Sequence, residues 1–154
     1  MSDAVAAMTH PLERSRGMLF VDRRNDALSQ IAEGFARQLL PGDFRIHSAG
    51  VTPDRLNPWA IRVMAESGID IAGHFSKSLL SIDADGIDHL IVLESDLDFP
   101  SAYRKASRLD WAVYTPIDLQ LPERAMLSAF RLMRDVVHDR VSNFCSAILL
   151  NSFE

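Results

Sequence analysis

The chain has 154 residues, of which 47% are hydrophobic and 24% charged. That is the make-up of a globular domain with a real core, and it excludes disordered, collagen-like and mucin-like classes. Sixteen Lys and Arg against twenty-one Asp and Glu leave a formal charge of −5, the wrong sign for bulk binding to nucleic acid or an anionic membrane surface. A single cysteine, Cys145, excludes an internal disulfide and a cysteine-built zinc site.

Residues 1–16 read as a flexible N-terminal arm, polar and rich in small residues, with His10-Pro11 in the middle; a short helix docked on a partner is the alternative. They lack the charged start and apolar stretch of a signal peptide. No apolar run reaches the length of a membrane span, so a cytoplasmic location is expected. Residues 17–154 are expected to form one domain. Met18-Leu19-Phe20-Val21 is a short continuous apolar run, as in a strand buried on both faces. A helix follows over residues 27–40, with Leu28, Ile31, Phe35 and Leu39 on one face, stopped by Pro41-Gly42. A second strand is predicted over residues 44–48. Asn57 caps the next helix, with Pro58 at its first position and Gly68 at its end. The stretch from Ile69 to Gly86 reads as loop with one short helix. Residues 89–93 and 111–114 are the third and fourth predicted strands. Pro122 opens a long last helix with Leu127, Phe130, Met133, Val137, Val141 and Phe144 on its apolar face.

Strands alternating with helices predict an α/β fold on a parallel sheet, whose working site lies beyond the carboxyl ends of the strands. The loops at that end are residues 22–27, 49–56, 94–100 and 115–121.

In these loops and around them the chain resembles the low-molecular-weight tyrosine phosphatases, and within them the thioredoxin-coupled arsenate reductase branch. The resemblance is carried by Leu19-Phe20-Val21, the run from Ser29 to Ala36, Ser48-Ala49-Gly50, Leu56-Asn57-Pro58, Gly68-Ile69-Asp70-Ile71, Gly73-His74, Ser76-Lys77-Ser78-Leu79 and the run from Phe130 to Asp135. It implies a three-layer α/β/α fold with a four-stranded parallel sheet in the order 2-1-3-4. It also implies an oxyanion loop between the first strand and first helix, in which a cysteine attacks, main-chain amides cradle the anion and an arginine grips two oxygens. An aspartate before a proline, after the fourth strand, protonates the leaving group.

At those positions this chain carries Asp22 for the cysteine, Leu28 for the arginine and Thr115 before Pro116 for the acid, while Asn25 and Ser29 match. Residues Asp22, Arg23, Arg24, Asn25, Asp26, Ala27, Leu28 and Ser29 are the candidate ligand-binding loop. A carboxylate is a poorer nucleophile than a thiolate. Leucine forfeits charge-assisted bonds of roughly 1.5–3 kcal/mol each, and threonine is too weak an acid at neutral pH. The expectation is therefore a pseudoenzyme, a non-catalytic module that binds or regulates an unidentified protein or self-associates, with no cofactor and no metal. Two alternatives stay open: an oxyanion sensor without turnover, in which Arg23 or Arg24 swings inward, and phosphotransfer through Asp22. Asp26 is the expected N-cap of the first helix. Asp22 and Asp26 then either fill their own anion site, with Arg23 or Arg24 pairing across it, or lie in a plain exposed turn. Trp59 is either an exposed anchor or packed beneath its neighbouring loop. Leu149, Leu150 and Phe153 either fold back on the core or meet a second subunit. Cys145 reads as a core thiol, and His10, His47, His74, His89 and His138 lie too scattered for a metal site.

Overall fold

Every residue of Gly17–Asp22 is buried, and this strand, β1, lies inside a four-stranded parallel sheet. The computed structural model describes residues 16–151; the expected arm, apart from Arg16, lies outside the described residues, as does Phe153. The elements that follow are α1 (Leu28–Leu39), β2 (Arg45–Gly50), α2 (Pro58–Glu66), β3 (His89–Val92), β4 (Ser107–Asp110) and α3 (Glu123–Asn151). The strand order is β2-β1-β3-β4, with Val21 beside both Ala49 and Val92. This is the expected α/β fold and sheet order.

Alternation along β1 divides the core. Met18 and Phe20 face a cluster that includes Ile31 and Phe35 of α1, Val63 and Met64 of α2, and Phe130, Met133, Val137 and Val141 of α3. Leu19 and Val21 face a smaller cluster with Leu79, Ile87, Leu97 and Tyr103. That second face is covered by 3-10 turns at Leu79–Ser81, Ala84–Gly86 and Ser101–Tyr103, where the sequence suggested one short helix.

The caps of α2 follow the sequence. Asn57 Oδ1 accepts from the Trp59 amide at 2.8 Å. Gly68, at φ +77°, closes the helix in the left-handed region that glycine enters without strain. The fourth strand does not follow it. Residues 111–114 are not a strand; β4 lies four residues earlier and is exposed along its length, because it is the sheet edge. Ala112, at φ +46°, breaks extended geometry inside the predicted run. The apolar Trp111 and Val113 instead pack against the main core from the segment after the strand. Trp59 is partly buried against that core, with Arg62 over its ring. Leu149 packs on the core while Leu150 is exposed. Among the described residues no helix is long and apolar enough to cross a membrane.

Candidate active site

The corner between β1 and α1 is held in place from the side of β2. A Cβ on Gly50 would lie 2.6 Å from the Asn25 amide nitrogen and 2.7 Å from the Arg24 carbonyl carbon, so only glycine lets the loop backbone approach. Past that contact the two segments stay joined. Thr52 donates its amide to the Arg23 carbonyl at 2.7 Å, Asp54 to that of Arg24 at 3.0 Å and Asn57 to that of Asp26 at 2.8 Å.

Asp22, the last residue of β1, turns its carboxyl group into this corner. Oδ1 accepts from the Asn25 amide at 2.5 Å and Oδ2 from the Ser29 amide at 2.9 Å. Ser29 lies in the first turn of α1, so Asp22 performs the capping that the sequence assigned to Asp26. The residue at the cap position is Ala27, which has no side-chain cap. Burial pushes the Asp22 pKa up to about 7, against the lowering effect of the bonds from Ser29 and Asn25; the charge of Glu94 adds a further rise. Burial also raises Asp26 to about 6, with Arg24 opposing and Glu94 and Asp54 adding.

Asn25 joins the corner to the segment before the first 3-10 turn. At φ +50° it holds a left-handed conformation that asparagine tolerates better than most residues. Its Nδ2 donates to Ser29 Oγ at 2.8 Å, and its Oδ1 accepts from the Lys77 amide at 2.8 Å and Gln30 Nε2 at 3.1 Å. Its carbonyl accepts from Ser76 Oγ at 2.7 Å.

The other candidate residues separate. Leu28 is 1% exposed and belongs to the apolar core. Arg24 does not pair across the loop; its Nη1 reaches Asp118 at 3.3 Å. Arg23 contributes its amide, donated to Glu94 Oε1 at 3.2 Å. Thr115 Oγ1 accepts from the Ile117 amide at 3.3 Å and lines a cavity of about 380 Å3 with Glu94, Ser95, Ala112 and Tyr114. Glu94 stands at the corner, in one of the loops the sequence placed at the working end. Gln30 stands there too without having been given a role; its full burial as a polar residue near the start of an amphipathic helix is the signal that could have found it. Among the described residues no group of three or more His, Cys, Asp or Glu is placed to hold a metal ion. Cys145 is buried in α3, and burial raises its thiol to about 12.

Comparison with known proteins bears on this corner. The family described as low molecular weight phosphotyrosine protein phosphatase matches residues 17–151. A glutaredoxin arsenate reductase of Synechocystis sp. is 33% identical over 132 residues, covering 85% of this chain and 97% of that protein. An arsenate reductase of Staphylococcus aureus is 32% identical over 129 residues, covering 82% of this chain and 94% of its own. Among solved structures, an arsenate reductase in the phosphate-binding state superposes with a TM-score of 0.77 at 33% identity, over 86% of this chain and 98% of the other. These relatives overturn the expectation of a non-catalytic module, and with it the sensor without turnover and Asp22-centred phosphotransfer: proteins alike over nearly the whole length are named reductases.

Proposed function

The chain belongs to the low molecular weight phosphotyrosine protein phosphatase family, and from that premise we propose that it is a catalytic member acting on a phosphate-class oxyanion at the β1–α1 corner, with the carboxyl of Asp22 as the group that handles the proton there. One observation carries this reading. Asp22, which the sequence resemblance sets against the family's nucleophile, is held by two amides at 2.5 and 2.9 Å, with a pKa raised to about 7. A carboxyl of that acidity exists in both protonation states near neutral pH, which is what proton transfer in a turnover cycle requires.

The sign of the charge at the corner follows. Below about pH 7 Asp22 is neutral, so an oxyanion approaching the helix start meets no facing carboxylate, although the Asn25 and Ser29 amides are already donated to Asp22. In hydrolysis water attacks phosphorus as the ester P–O bond breaks; the protonated carboxyl gives its proton to the leaving oxygen and regains one from the attacking water, with no bond formed to Asp22. Above that pH the carboxylate repels the oxyanion. Of the two chemistries in the family, hydrolysis of a phosphate monoester suits these residues better. Arsenate reduction takes two electrons from thiols, and the chain's single cysteine is buried in α3 with its thiol pushed up to about 12. A reductase reading needs every reacting thiol from a partner. A cytoplasmic site of action goes with either chemistry.

Steady-state assays test this with an aryl phosphate, and with arsenate in the presence of reduced thioredoxin or glutaredoxin. Aryl phosphate turnover is expected, increasing as the pH falls through about 7, and reduced at least about a hundredfold in Asp22→Ala, the usual lower range for loss of an acid–base group. No turnover of either substrate, or turnover indifferent to Asp22, would overturn the reading.

A further inference from the structure

Away from the corner, one buried carboxylate gathers an excess of basic groups. Glu33 of α1 is 4% exposed. Its Oε1 accepts from Ser48 Oγ at 2.8 Å and lies 3.9 Å from Lys77 Nζ. Its Oε2 lies 3.1 Å from Arg37 Nε and 3.6 Å from His74 Nδ1. One carboxylate neutralises one cation, so the permanent charges of Arg37 and Lys77 leave one in excess, with an imidazole beside them. The surplus stands out on a chain whose formal charge is −5.

These groups line an open cleft on the outer side of β2. A cavity of about 270 Å3 is bounded by Glu33 together with Arg37, His47, His74, Phe75 and Lys77. A second, of about 490 Å3, shares His47, Phe75 and Lys77 with it and adds Arg45 and, opposite in charge, Asp83. Phe75 is 69% exposed, with the Lys77 ammonium 5.1 Å from its ring centre. An exposed phenylalanine beside cations offers apolar contact to a ligand whose other end is anionic. None of the candidate loop residues, 22–29, lines either cavity.

We propose that this cleft is a second ligand site, which takes a small organic phosphate: its anionic group sits against Arg37 and Lys77 beside His47, and its apolar part lies on Phe75. A phosphate dianion suits the site better than a monocarboxylate, because two cations from separate elements and an imidazole surround the space. The Arg37 guanidinium is already braced, donating from Nη2 to the Ile46 carbonyl at 2.6 Å, so little of its freedom is left to lose on binding. The His47 pKa lies below its ordinary value, through burial first and then the charge of Arg37, with Lys77 and Arg45 adding and Glu33 opposing. The positive charge is therefore felt inside the cleft.

The test is a titration of the full chain with phenylphosphonate, which cannot turn over, followed through the His47 and His74 ring resonances. Both are expected to shift saturably. Arg37→Gln and Lys77→Gln should each weaken binding roughly tenfold, the worth of one charge-assisted hydrogen bond. Phe75→Ala should weaken phenylphosphonate while leaving inorganic phosphate unchanged. Arg37→Gln alters a half-exposed side chain and keeps the test open should Lys77→Gln fold poorly. Absence of any shift at about 10 mM ligand, where even millimolar affinity would be seen, overturns the proposal. So do shifts abolished by Asp22→Asn but kept in Arg37→Gln, which would assign the ligand to the corner and leave the proposed catalytic role standing.

Discussion

At Asp22 two opposing terms meet in one side chain. Two amide bonds favour its carboxylate, while complete burial favours the neutral acid and prevails, so the pKa rises from 3.8 to about 7. A raised carboxyl pKa means that the folded state holds a proton which the unfolded chain has already released. Its contribution to stability is fully present below about pH 4 and is lost as the pH climbs through 7, a change on the order of 4 kcal/mol. Urea unfolding at pH 5 and pH 8 should show the wild type less stable at the higher pH through this group. Asp22→Asn should reduce that slope, while costing about 1–3 kcal/mol at pH 5, because its NH2 must face one of the two amides and leave it unpaired. Cys145 gives a second check. A thiol raised to about 12 and 2% exposed should resist an aromatic disulfide reagent in the native state and react stoichiometrically in denaturant. At this scale the sequence was legible where a residue had one evident job. Cys145 read as a core thiol and is buried. The helix cap was misread, because an aspartate five residues before the cap position enters no local rule.

Elements carry the corner through a glycine and an asparagine. Gly50→Ala drives a methyl into the backbone of residues 24 and 25 at 2.6–2.7 Å, where neither strand nor loop can yield cheaply. We expect a loss of about 2–3 kcal/mol, with the Asp22 titration displaced because its amide partners move. Thermal melts and the pH profile of the same variant measure both. A contrasting core variant, Phe130→Ala in α3, removes a fully buried ring and should cost about 3–5 kcal/mol in urea unfolding while leaving the shape of the pH profile unchanged. The helices and first three strands were readable from periodicity and from caps such as Asn57-Pro58 and Gly68. The fourth strand was not. Ser107–Asp110 is exposed throughout and offers no apolar run, whereas Trp111 and Val113 offer one and pack from a loop. An edge strand chosen by register with β3 leaves little trace in its own four residues.

For the whole molecule, the sheet divides two unequal halves. α1, α2 and α3 all pack with Met18 and Phe20, and α3 is tied to α2 where Arg131 and Arg134 share Glu66 at 2.6 and 2.9 Å. Those bonds, with Arg131 foremost, hold the Glu66 pKa down to about 2. The opposite half rests on Leu79, Ile87, Leu97 and Tyr103, carried by three-residue turns. The Tyr103 hydroxyl, donating to the Leu79 carbonyl at 3.0 Å, is its main polar tie across the turns. Short turns with few apolar partners open more readily than long packed helices. Deuterium should therefore enter the amides of residues 79–106 outside β3 orders of magnitude sooner than those of α3. The protein would then breathe from one side only, loosening the floor beneath Val21 while the helical half, with the start of α1, stays shut.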